Sequence, residues 1–255
     1  MREDDHFLQW KGTVEEYRET VPIVYPRYAG FANLMIFLCE FFYEYPDGVA
    51  HESFRDYEVG RWITFNFPTT SQTGMKRVFE PYIYINDFTI RNVHPLIRKL
   101  IKPSPELEAL LAEHHYLIDG VTMGVHVRRG WYSEDCRSRD PNKEENSFAD
   151  DKALEIFKLL ARESGGPVFL ASDSTVVRAT FPNARTLDTT VPHHVEQGDT
   201  TDRRNVFVDF FLLSMCPKLL LTYGHFPKLP GISTFGYMAA QYGDVPYEFI
   251  PSVNG

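Results

Sequence analysis

From Val121 onward the sequence alternates between two periodicities, and that alternation restricts the fold more than any other feature. The short runs Val121-Thr-Met-Gly-Val-His-Val127, Pro167-Val-Phe-Leu-Ala-Ser172 and Lys218-Leu-Leu-Leu-Thr222 are apolar on both alternate faces. Such runs suit strands covered on both sides, as in a parallel sheet between helices. Between them lie helical stretches: Asp150–Arg162, amphipathic and stopped by Gly165-Gly166, then Thr175–Thr180, Val206–Met215 and Ser233–Tyr242. The regular exchange predicts a doubly wound α/β architecture for this half. Tyr223–Ile232, rich in Gly and Pro, reads as a loop within it.

The N-terminal half opens in the same way. Val21–Tyr25 reads as a strand, Pro26–Gly30 as a loop and Phe31–Glu44 as a helix apolar nearly all round. Strand-like pieces follow at Arg61–Phe67 and Tyr82–Ile85. A helix then begins at Pro103-Ser-Pro, with Ser104 as N-cap and Pro105 in the first turn. A soft boundary at Leu117–Gly120 divides the chain into residues 1–118 and 119–255.

Composition limits the partners. A net charge of −9 argues against nucleic acid, which needs a cationic footprint, but leaves room for a small phosphate ester held by a local arginine cluster. The three cysteines, Cys39, Cys136 and Cys216, have neither zinc-ligand nor disulfide-framework spacing, and fit a reducing compartment. The charged N-terminus lacks a secretory h-region. The longest apolar stretch, Phe31–Phe42, is about half the ~20 residues a membrane helix needs. The expectation is a cytoplasmic protein, or an excised catalytic domain without its anchor, with no membrane span.

Four constellations can carry chemistry. His126-Val-Arg-Arg-Gly130 ends a buried strand, and ligands of open α/β sheets bind beyond the carboxyl ends of strands. Arg128 and Arg129 there can grip phosphate oxygens in bidentate fashion or pair with surface carboxylates. Ser172-Asp173 ends a second strand, where a carboxylate can take hydrogen bonds from ribose or a base, or Asp173 or Ser174 can cap a helix. Ser233-Thr-Phe235 opens a helix whose free amides and hydroxyls suit a phosphate, or simply cap it. Gly30 with Asn33 forms a glycine turn into the first long helix, compatible with close approach of a ligand or with a tight turn alone.

Taken in order, Gly30 and Asn33, Gly124-Val-His-Val-Arg-Arg-Gly-Trp-Tyr132, Val168–Asp173, and Asp209-Phe-Phe-Leu-Leu-Ser214 through Ser233–Ala240 resemble the inverting fucosyltransferases. The likeness is to the α-1,2-fucosyltransferase group and its plant cell-wall relatives. Tyr45–Gly120 carries none of it. Trp131 stands where the family usually has an acid, and Tyr223–Pro230 looks inserted.

The resemblance implies a GT-B-like pair of Rossmann-type α/β domains, with the donor in the C-terminal one and the acceptor side in the N-terminal one. It implies metal-independent inverting transfer of a sugar, most readily L-fucose from GDP-fucose, to a glycan hydroxyl, with no other cofactor. Arg128 would stabilise the leaving diphosphate with the Ser233/Thr234 helix end. Arg129, Gly30, Asn33, Ser172, Asp173 and Phe235 would line the donor site, with His126 facing the base or ribose or else reading as a core histidine. Glu134 and Asp135 are the positional candidates for a general base, or lie in a solvated acidic loop. Asp209 reads as structural. A same-fold transferase using another nucleotide sugar, such as a xylose or rhamnose donor, and a non-catalytic nucleotide- or glycan-binding module remain open alternatives.

Overall fold

The computed structural model describes residues 23–24, 31–52, 58–71, 96–130, 148–188, 204–226 and 229–251. The chain divides into two compact units, Met1–Glu106 and Leu107–Gly255.

In the first unit, β1 (Ile23–Val24), β2 (Val49–His51) and β4 (Thr69–Thr70) form a parallel sheet in the order β1-β2-β4. α1 (Phe31–Glu44) occupies the span expected of it and buries residues around its whole circumference, including Leu34, Met35, Leu38 and Phe41. The strand expected over Arg61–Phe67 is shorter. α2 (Glu58–Trp62) takes its first residues, and only β3 (Ile63–Phe65) extends, pairing antiparallel with β5 (Ile101–Pro103). α3 (Pro105–His114) begins at the Ser104-Pro105 signal and carries the chain into the second unit. The strand-like piece Tyr82–Ile85 lies outside the described residues.

The second unit is mixed α/β around one sheet. β6 (Met123–Val127), β7 (Val168–Ser172), β8 (Ala184–Arg185), β9 (Leu219–Phe226) and β11 (Tyr247–Pro251) run parallel in the order β8-β7-β6-β9-β11. Every residue of β6 and β7 is buried, as the unbroken apolar runs require.

Helices cover both faces. Met123, Val125 and Val127 share a core with Ala153, Phe157 and Ala161 of α4 (Asp151–Glu163) and with Val177 of α5 (Thr175–Thr180). On the opposite face, α7 (Thr234–Gly243) approaches so closely that a Cβ on Gly236 would lie 2.7 Å from both His126 Nδ1 and Leu221 Cδ2. α6 (Arg204–Ser214) packs beside α7 through Phe210 against Phe235 and Phe211 against Tyr242.

In this unit two features depart from the expectation. Tyr223–Ile232 is a hairpin rather than a loop: β9 continues to Phe226 and β10 (Leu229–Ile232) returns antiparallel to it. Tyr223 pairs with Pro251 of β11 on one side and with Ile232 on the other, so β10 lies on the β6 side, past the end of β6. β11 had no counterpart in the sequence reading.

From β6 the chain lays β7 and β8 to one side, then returns through α6 to place β9 on the other. The order therefore reverses between β6 and β9. Beyond the carboxyl ends of strands at such a reversal, α/β sheets present their ligand crevice.

Candidate functional site

The carboxyl ends of β6 and β9 are tied together by one hydroxyl. Thr222, fully buried, donates from Oγ1 to the His126 carbonyl at 2.9 Å and accepts from the Arg128 amide at 3.0 Å. The Thr222 carbonyl in turn accepts from the Ser233 amide at 3.2 Å. Arg128 and the residue preceding α7 thus meet on Thr222, at the strand-order reversal. No local window of sequence shows this, because Thr222 is ninety-four residues from Arg128.

Asp173 fixes the turn after β6. Its Oδ1 accepts from the Arg129 amide at 2.7 Å and its Oδ2 from the Gly130 amide at 2.9 Å. Gly130 has φ of +56°, a conformation that costs a residue with a Cβ and glycine nothing. Burial raises the Asp173 carboxyl above its ordinary value, opposed by these hydrogen bonds and by the charge of Arg128. Ser174, not Asp173, caps α5 by accepting from the Val177 amide. Ser172 is buried, and its hydroxyl accepts from the Ser174 amide at 3.2 Å.

The two arginines do different things. Arg129 turns to the start of α4, donating to the Ala149 carbonyl and to the Asp151 carboxylate, both at 2.8 Å. That is the carboxylate-pairing alternative of the sequence reading, with both terminal nitrogens donating to protein. Arg128 is the uncommitted one. Its guanidinium lies over the Phe148 ring at 3.9 Å and makes no side-chain hydrogen bond to a described residue, and its Nε is buried without a partner. Burial lowers it to about 10, with Asp173 opposing; it remains a cation at neutral pH.

His126 is 6% exposed and is lowered to about 3, by burial first and then by the charges of Arg128 and Arg178. It is a neutral imidazole, with its ring 5.2 Å from that of Phe235 and its Nδ1 3.5 Å from Ser233 Oγ. Ser233 is fully buried, and its hydroxyl makes no cap to α7. The first amides of that helix are therefore not capped by this side chain, while Thr234 and Phe235 are partly exposed.

Behind the site, Arg178 on α5 donates to the Ser172 carbonyl at 2.8 Å and pairs with Asp209 at 2.6 Å, both side chains over nine-tenths buried. Asp209 is structural, as expected. Sequence reasoning missed Arg178, Thr222 and Phe148.

The other expected residues belong to the first unit or fall outside the described residues. Asn33 is on α1 in the first unit, with its Oδ1 buried and lacking a hydrogen-bond partner among the described residues. Gly30, Glu134 and Asp135 fall outside the described residues, as does Trp131. Among the described residues no group of three His, Cys, Asp or Glu could hold a metal ion, and no helix is long and apolar enough to cross a membrane.

No family model matches the chain, and no curated protein does. Among solved structures, it is similar to the alpha-1,6-fucosyltransferase NodZ of Bradyrhizobium, co-crystallized with GDP, at 15% identity and TM-score 0.48, covering 87% of this chain and 92% of that one. A mutant of Arabidopsis thaliana FUT1 in complex with GDP is 11% identical over 91% of this chain and 70% of that one, with TM-score 0.48. POFUT1 in complex with GDP-fucose is 13% identical over 96% and 78%, with TM-score 0.40. Likenesses at this level carry neither the fold nor an activity over to this chain.

Proposed function

We propose that the chain is a glycosyltransferase that binds a nucleotide sugar beyond the carboxyl ends of β6 and β9, with Arg128 on the diphosphate. One observation carries the reading: a half-buried guanidinium at the strand-order reversal, its Nε shielded from solvent and its side chain without a hydrogen-bond partner among the described residues. A cation's donor shielded from water and left without a partner is costly unless an anion completes it. The start of α7, which the Ser233 side chain does not cap and which is joined to Arg128 through Thr222, adds amides and a helix dipole of the same sign.

In the reaction proposed, an acceptor hydroxyl oxygen attacks the anomeric carbon from the face opposite the diphosphate. The bond from that carbon to the diphosphate oxygen breaks with inversion, and the leaving group gains negative charge. Arg128 and the α7 amides stabilise that charge without a metal. The acceptor proton passes to a carboxylate, for which Glu134 and Asp135 remain the candidates by position. Neutral His126 is a poor proton acceptor at pH 7; we assign it to holding Phe235 and Ser233 in place beside the donor.

GDP-fucose is the donor we propose, on the motif order that resembles fucosyltransferases. In this reading Ser172, Asp173 and residues 119–255 form the donor side and residues 1–118 form the acceptor side.

Calorimetric titration with GDP and UDP, followed by assay of GDP release from GDP-fucose, tests the proposal. GDP binding with slow fucose release is expected. UDP binding without GDP binding would rule out the fucosyl donor, and binding of neither would overturn the reading.

A further inference from the structure

We propose that Phe148 is the positioning residue of the anion clamp: it holds Arg128 by its face so that the guanidinium edge stays free for the ligand. The inference rests on the anion-binding reading of Arg128 and names the device that makes it work. A guanidinium has two ways to be held. A carboxylate binds its edge and uses the same in-plane N–H donors that a phosphate needs. An aromatic ring attracts the cation from above through its quadrupole and uses none of them. Arg129 is held the first way, its two terminal nitrogens engaged by Ala149 and Asp151. Arg128 is held the second way, with Cζ 3.9 Å from the centre of the Phe148 ring.

The nearby acid does not spoil the arrangement. Asp173 feels the charge of Arg128, yet its two oxygens each accept from a backbone amide, of Arg129 and of Gly130, rather than from the Arg128 edge. Phe148 is itself well anchored. It is 2% exposed, and the next residue, Ala149, is gripped from both sides: its amide donates to the Arg128 carbonyl at 2.9 Å and its carbonyl accepts from Arg129. The ring is thus registered against Arg128 by the backbone of Arg128 itself. The same ring keeps water from one face of the cation, which strengthens its interaction with an anion at its edge.

The test is GDP affinity, measured by calorimetry, in Phe148→Leu and Phe148→Trp, each also in an Arg128→Ala background. Phe148→Leu keeps an apolar side chain but removes the π face, and should weaken GDP on the order of tenfold; Phe148→Trp should restore most of the loss. In the Arg128→Ala background, Phe148→Leu should have no further effect on GDP. A melting temperature lowered in Phe148→Leu with GDP affinity unchanged would show a packing role only and overturn the inference. An Arg128→Ala variant that keeps full GDP affinity would instead overturn the anion-binding reading beneath it.

Discussion

Thr222 sets the position of Arg128 through a single hydroxyl, accepting from the Arg128 amide while donating to the His126 carbonyl one strand away. Replacing it with valine keeps the volume and strands two buried backbone groups. Thr222→Val should cost about 1–3 kcal/mol of stability, and Thr222→Ser much less. Urea denaturation of the two variants checks this, and an unchanged midpoint in Thr222→Val would contradict it. GDP binding should weaken in Thr222→Val as well, because the Arg128 backbone loses its tether.

Arg178 and Asp209 form a buried pair behind the site. Removing only the cation leaves a carboxylate that burial already drives upward and that Arg178 holds down. Arg178→Met should therefore destabilise by about 3–5 kcal/mol at neutral pH. Arg178→Met with Asp209→Leu should recover much of that. The deficit of the single variant should shrink as pH is lowered and Asp209 takes up a proton. Thermal melts at pH 8 and pH 5 distinguish this from a simple packing defect, whose cost does not depend on pH.

His126 gives a second pH signature of known sign. In the folded protein its value is about 3, below the ordinary 6.5, so the unfolded chain takes up the proton first. Its contribution to stability is complete above pH 6.5 and is lost as pH falls toward 3. At pH 5 the wild type should have lost about 2 kcal/mol relative to its own value at pH 8, a loss that His126→Asn lacks. Parallel denaturation curves at the two pH values measure the difference; equal slopes for both proteins would contradict a buried neutral imidazole.

Gly236 sits where α7 touches the site. A Cβ there would come within 2.7 Å of His126 Nδ1, a distance the ring can meet only by moving. Gly236→Ala should cost about 1–3 kcal/mol and displace the His126 ring. Chemical-shift change at His126, together with a lowered melting temperature, is the expected result.

The sequence carried the elements whose burial is complete. α1 and α5 occupy the spans read for them, and β6, β7 and the start of β9 show as unbroken apolar runs because helices cover both faces. The β9–β10 hairpin was hidden by its own composition. Gly and Pro signal a loop, yet Pro230, which lacks an N–H, is tolerated where β10 pairs only at the end of β9. β11 was missed because it is an edge strand of uneven burial, without the unbroken apolar run of β6 or β7.

The arginine pair was legible as a strand end, but not the division of labour within it. Which arginine is free depends on Ala149 and Asp151 folding back onto Arg129 and on Phe148 covering Arg128. Those are contacts across some twenty residues. Thr222 was invisible for the same reason: its role exists only once β9 is in register with β6.

The most direct test of the central claim is GDP titration of Arg128→Ala beside the wild type, with melting temperature as the control for folding. The expected result is a loss of about 2–5 kcal/mol of binding free energy, with the fold retained. An Arg128→Ala protein that binds GDP as tightly as the wild type would contradict the account.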